Sequence, residues 1–223
     1  MYKNNLTIEA LITEARRFCE IESKVNHKQL LGVTDGKAVG TYIEHKFQAY
    51  LKEKYILEVG SSAKGIDLPS EDINTDIKVT SIKQPQSSCP FRDAKQKIFG
   101  LGYNLLVFVY NKEDSRDCCR LTFEKCTFVP NKRTADYTTT KMIRDIIDNG
   151  GDEEDIIGFF YNINLPGDEI TYQLIAESIM KKKPKQGYLT ISNALQWRLQ
   201  YKRVINLDNS VKGIINFERE QLC

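Results

Sequence analysis

Asp76-Ile77-Lys78-Val79-Thr80 is the stretch on which the fold turns. Polar and apolar residues alternate along it, which is the period of a β-strand. Asp76 and Lys78 therefore share one face, about 7 Å apart, and Ile77 and Val79 take the other. An acid-x-Lys tripeptide has little weight by itself, since composition alone supplies about three, and the chain holds five. Glu22-Ser23-Lys24, Asp35-Gly36-Lys37, Glu44-His45-Lys46 and Asp93-Ala94-Lys95 fall on expected helices or a loop, where positions i and i+2 point apart. Asp76-Ile77-Lys78 alone stands on an expected strand.

Working outward, Gly65-Ile66-Asp67-Leu68 reads as a neighbouring strand, joined to the first through the polar Ser70-Glu71-Asp72 connection. If the two pair, the carboxylates of Asp67 and Asp76 converge. Glu71 or Asp72 is the alternative to Asp67, although loop carboxylates more often serve to solvate a turn. On the N-terminal side, residues 6–25 and 37–55 repeat apolar residues at three- and four-residue steps, as amphipathic helices do, and Glu44 lies on the second of them. On the C-terminal side, residues 91–100 look helical. Leu105-Leu106-Val107-Phe108-Val109-Tyr110 has the continuous apolar texture of a strand covered on both faces, and residues 120–129 form one strand more. Beyond Pro130 four helices are expected, at 138–148, 152–161, 168–182 and 192–202. The expected architecture is α/β: a central mixed sheet flanked by helices, followed by a mostly helical C-terminal half. One domain spans 1–223, with a core at about 37–130 and a helical elaboration at about 131–223.

The 223 residues carry 32 basic and 30 acidic side chains, so the chain as a whole is not polycationic, and any affinity for a polyanion must come from local clustering. Two places qualify. One is Lys181-Lys182-Lys183-Pro184-Lys185; the other is Arg198, Lys202 and Arg203, set among Gln196, Trp197 and Tyr201. Such side chains grip phosphates or read base edges, although the first run also suits a solvated helix end, and packing equally explains Trp197 and Tyr201. Lys132-Arg133, with Lys141 and Arg144, is a third basic region. No apolar run reaches membrane-spanning length, and the first residues lead into an amphipathic stretch, so a soluble, unexported protein is expected. The six cysteines show neither zinc spacing nor a disulfide framework and read as reduced thiols. His45, beside Glu44, invites a role as general base, but adjacent helical residues diverge by about 100°.

Two convergent carboxylates are costly without a cation between them, and Mg²⁺ accepts one or two carboxylates together with water and phosphate oxygens. An ion held there would activate water for attack on a phosphodiester. Lys78 is suited to hydrogen-bond that water or to neutralise the phosphate.

Residues 37–111, with Gly40 and Glu44 on a helix, the Gly65-Ile66-Asp67 element, Asp76-Ile77-Lys78 and the buried strand ending near Tyr110, resemble the PD-(D/E)XK nuclease superfamily, and type II restriction endonucleases in particular. Ile66 stands where the family name places proline. The resemblance implies a restriction-endonuclease-like core and metal ligation by Asp67, Asp76 and the Ile77 carbonyl. It further implies Lys78 as the catalytic lysine, Glu44 as an accessory acid near a second metal, duplex DNA as substrate, 5′-phosphate products, a homodimer and a bacterial cytoplasmic setting. A repair or junction-resolving nuclease on the same core is the alternative enzyme, and a non-catalytic DNA-binding module the alternative without chemistry.

Overall fold

The computed structural model of the chain describes residues 3–60, 65–88, 93–192 and 198–221. The elements in order are β1 (Asn4–Asn5), α1 (Ile8–Glu22), α2 (Gly36–Lys54), β2 (Tyr55–Ile56), β3 (Thr75–Ser81), β4 (Gln86–Ser88), α3 (Lys95–Phe99), β5 (Asn104–Asp114), β6 (Cys119–Val129), α4 (Tyr137–Asp148), α5 (Glu153–Asn162), α6 (Glu169–Lys181), β7 (Thr190–Ile191), β8 (Arg198–Gln200) and β9 (Ile215–Glu218). The chain is therefore α/β with a mixed sheet. It forms two compact units, one from residues 1–86, 103–130 and 205–223 and the other from 87–102 and 131–204.

In the first unit the main sheet runs β3-β5-β6-β9, with β3 parallel to β5 and the other two pairs antiparallel. Thr7 caps α1 by accepting from the Ala10 N–H, and Asp35 caps α2 by accepting from the Lys37 N–H. Leu11, Ala15, Phe18 and Cys19 form the buried stripe of α1; Val39, Ile43, Phe47 and Leu51 form that of α2. These stripes pack with Ile77, Leu106, Phe108 and Phe123 in one core. At its centre the Phe108 ring lies 5.0 Å from Phe47 and 5.8 Å from both Phe18 and Phe123, in the edge and tilted arrangements that aromatic quadrupoles favour. Glu14, almost fully buried on α1, accepts hydrogen bonds from Tyr50 (2.5 Å), Lys54 (2.7 Å) and Tyr55 (3.1 Å), tying α1 to the end of α2.

The second unit holds α3 to α6, with a core of Ile98, Ile143, Ile156, Phe160, Ile175 and Ile179 among others. Asp136, Asp152 and Asp168 cap α4, α5 and α6 in turn, the Asp152 cap being a reciprocal capping box with Asp155. Buried Asp136 also accepts from the Ile191 N–H at 2.8 Å. Buried Lys97 donates to the Ile191 carbonyl at 3.0 Å, which fixes β7.

Three expectations are corrected. Residues 192–202 do not form a helix across their described part: Arg198–Gln200 is strand β8, paired with β7. Alternation accounts for this, because Leu199 and Tyr201 are buried while Arg198, Gln200 and Lys202 are exposed. Residues 193–197, including Gln196 and Trp197, lie outside the described residues, as do Phe91, Arg92, Cys89 and Cys223. The helical reading of the C-terminal half holds for α4 to α6 but not beyond, since the chain returns to the main sheet as β9. Finally, Gly65–Leu68 is not a full strand; a single bridge joins Leu68 to Thr75.

Removing the ring at the centre of the aromatic core tests this packing. Phe108→Ala is expected to cost about 3–5 kcal/mol of stability, measured by urea denaturation.

Candidate active site

β3 is an edge strand. Among the described residues its ladder is with β5 alone, with Asp76 opposite Leu105, Ile77 opposite Leu106 and Lys78 opposite Val107. Ile77 and Val79 face the core with α1 and α2, while Asp76 and Lys78 share the opposite face of the sheet with Leu105 and Val107. At the other edge the Leu68 bridge satisfies Thr75 through a pair of 3.0 Å hydrogen bonds. The next residue whose backbone points to that edge is Ile77. Its N–H donates to Oδ2 of Asp67 at 2.7 Å, and its carbonyl opens to the same side.

Asp67 holds this position because a tight turn precedes β3. The Ile73 and Asn74 N–H groups both donate to the Ser70 carbonyl, and Asn74 adopts a positive φ of 34°. Proline at position 69 lacks an N–H and limits further pairing. Behind Asp67, the Gly60 N–H donates to the Asp67 carbonyl at 2.8 Å. A Cβ at Gly60 would lie 1.9 Å from the Ile66 carbonyl oxygen, so only glycine fits there.

Three carboxyl groups from three elements meet at this edge. Asp67 is close enough to Asp76, which comes from the strand face, and to Glu44, which comes from α2, for each to influence its ionisation. Gln48 steadies Glu44 by donating to its Oε1 at 3.3 Å. Lys78 Nζ lies 2.8 Å from Asp76 Oδ2. Burial pushes the Asp76 carboxyl up to about 7; the neighbouring Asp67 raises it further and the Lys78 ammonium opposes the rise. Asp67 is raised as well, chiefly by burial; Asp76 and the Ile77 N–H oppose the rise and the Glu44 carboxylate adds to it.

The remaining sequence candidates are not at this cluster. Glu71 and Asp72 are exposed in the turn. His45 faces a separate cleft of about 590 Å³ with His27, Tyr42 and Lys46. In the second unit Lys181 pairs with Glu177 at 3.5 Å and Lys183 with Asp148, while Lys182, Lys185, Arg198, Lys202 and Arg203 are exposed. Sequence reasoning missed Gln48 and Gly60. Gln48 was legible as the residue one turn after Glu44; nothing local signalled Gly60.

Among the described residues no group of three or more His, Cys, Asp and Glu side chains is already disposed around one point as a metal cage. The donor set nevertheless suits a hard divalent cation: two carboxyls, one largely buried, and a carbonyl on the same strand edge, with a third carboxylate beside them. Without a cation, such groups relieve their repulsion by holding a proton.

The sign of that protonation has a measurable result. A carboxyl with a raised pKa binds more protons folded than unfolded, so its contribution is fully present below the ordinary carboxylate value of 3.8 and is lost progressively as pH rises from there to about 7. Urea denaturation in EDTA is expected to give a wild type that loses stability between about pH 4 and about pH 7 relative to Asp76→Asn, with little further change above that. Parallel pH profiles would contradict this.

The sequence model of a family described as type II restriction enzyme NspV matches residues 5–216. A curated protein from Nostoc sp., named type II restriction enzyme NspV, is 53% identical over 216 residues, covering 96% of this chain and 97% of its own. No solved structure matches the chain.

Proposed function

The chain belongs to the NspV family of type II restriction enzymes, and from that premise we propose that it cuts duplex DNA at a short recognition sequence by hydrolysing phosphodiesters at the Asp67–Asp76–Lys78 cluster. The observation that supports this site is the seating of Asp67 on the Ile77 N–H, which puts both aspartates beside Lys78 at one strand edge. The core is read as restriction-endonuclease-like, within a single functional domain over residues 1–223.

In this reading Asp67, Asp76 and the Ile77 carbonyl hold Mg²⁺, with Glu44 as an accessory ligand. When bound, Mg²⁺ supplies a water of lowered pKa and neutralises charge growing on the phosphate. Asp67 and Asp76, in their ionised form, would hold and orient that ion. Lys78 exchanges its contact with Asp76 for the scissile phosphate or the attacking water, where an ammonium offsets negative charge in the transition state. In-line attack leaves a 5′-phosphate and a 3′-hydroxyl. Glu44 is the accessory member of this set, so its loss should weaken the reaction without ending it.

The proposal includes a homodimer, because two sites related by a twofold axis suit a palindromic sequence, and action in the bacterial cytoplasm. No helix among the described residues is long and apolar enough to cross a membrane. Lys181, Lys182, Lys183, Lys185, Arg198, Lys202 and Arg203 are read as DNA contacts, on the grounds of their charge and placement at the surface of the second unit.

Incubation with plasmid and Mg²⁺ is expected to give discrete fragments, and EDTA to stop their formation. Smearing or junction-only cutting would indicate a different nuclease, and intact plasmid a non-catalytic module. Asp76→Ala and Lys78→Ala should each lower the cleavage rate at least about 100-fold, since each removes a group acting on transition-state charge. Wild-type cutting by either variant, with folding verified by circular dichroism, sinks the assignment.

A further inference from the structure

In the second unit the chain doubles back so that residues 186–189 run beside 133–135. The Tyr188 N–H donates to the Arg133 carbonyl at 3.0 Å and the Leu189 N–H to the Ala135 carbonyl at 3.1 Å. Gly187 permits the approach, since a Cβ there would stand 2.2 Å from the Ala135 carbonyl oxygen. This brings the rings of Tyr137 and Tyr188 to 5.9 Å. A guanidinium lies on each: Arg203 is 3.9 Å from the Tyr137 centroid and Arg133 is 5.6 Å from that of Tyr188. The order in space is Arg203, Tyr137, Tyr188, Arg133, a ladder with a cation at each end.

Neither arginine forms an ion pair with a described carboxylate. Arg203 is exposed, and Arg133 spends one N–H on the Gln186 carbonyl at 3.2 Å. Beside the ladder, Lys132 lines a cleft of about 370 Å³ with Lys182, Lys183, Lys185 and Phe99, where Asp148 offsets Lys183. A chain whose net charge is only +2 thus exposes Lys132, Lys182, Lys185 and Arg203 in this unit. Contact with a ring restricts a guanidinium while leaving N–H groups to donate elsewhere, and the guanidinium edge matches a phosphate.

We propose that this ladder is a contact for the phosphate backbone of duplex DNA, in which Arg203 and Arg133 grip phosphates and Tyr137 and Tyr188 are positioning residues. It rests on the reading of the chain as a DNA-cleaving enzyme and assigns part of that enzyme's grip to Arg133, from the third basic region, and to Tyr137 and Tyr188, which no sequence motif marked. Ordering the guanidiniums beforehand lowers the entropy lost when a phosphate binds.

The test is binding of a fluorescein-labelled duplex of mixed sequence to the full-length protein, by anisotropy in EDTA across a range of NaCl. Arg203→Ala is expected to reduce the slope of log affinity against log salt by about 0.9, the loss of one phosphate contact. Tyr137→Leu leaves the charge in place, so it should keep the slope but weaken binding about two- to fivefold. Tyr137→Phe keeps the ring and should bind as wild type does, which a loss of fold would not allow. Arg203→Ala and Arg133→Gln proteins with unchanged slope and affinity would overturn the ladder, and if they still cut plasmid the nuclease reading stands without it. Variants that lose affinity only for the cleaved sequence would overturn a backbone role in favour of base reading. A wild type that neither binds the duplex nor cuts plasmid overturns both.

Discussion

An edge strand leaves alternate backbone groups unpaired, and the 2.7 Å bond from the Ile77 N–H to Asp67 is how this protein deals with that at β3. Strand geometry dictates the rest. Once β5 occupies one side of β3, the N–H and carbonyl of Ile77 must face the other. Filling that edge with a side chain rather than a strand places a carboxylate in the plane of the sheet. From there Asp67 reaches Asp76 on one face and Glu44 on the side of α2. A longer strand in place of the single Leu68–Thr75 bridge would have paired the Ile77 N–H with a carbonyl, and the acids would not have met.

The arrangement works against folding. Burial raises both Asp67 and Asp76, and Glu44 adds like charge, so the group is held by the surrounding core and not by its own attractions. That core is well able to hold it: Phe18, Phe47, Phe108 and Phe123 interlock beneath the Ile77 face, and the buried Glu14 network ties α1 to α2. Lys78 supplies the compensating charge at 2.8 Å. The second unit buries charge differently, since Lys97 and Asp136 spend theirs on the backbone of Ile191 and serve the architecture.

How much was legible in advance depended on how local the cause was. Helices α1, α2 and α4 to α6 followed from periodicity and from caps that sit within one turn of what they cap. Strand β8 was misread because its neighbourhood offered apolar residues at both helical and alternating spacings, and pairing with β7 decided between them. Strand β9 gave little signal at all; four residues become a strand because β6 presents Lys125, Cys126, Thr127 and Phe128 as an edge that pairs with Glu218, Phe217, Asn216 and Ile215. Gly60 was illegible because its constraint is the backbone of Ile66, which folding alone brings near.

By itself the sequence determined the alternation that puts Asp76 and Lys78 on one face, the apolar stripes that bury α1 and α2, and the candidacy of Asp67 and Glu44. These are properties of spacing, and spacing is fixed by backbone geometry before any tertiary contact forms. Tertiary structure decided that β3 has an open edge, that Asp67 and not Glu71 or Asp72 fills it, and that Tyr137 and Tyr188 meet between two arginines 70 residues apart in number, Arg133 and Arg203. The reason is that edges, seats and stacks belong to pairs of segments distant along the chain, and only the packing of the whole selects which pairs meet.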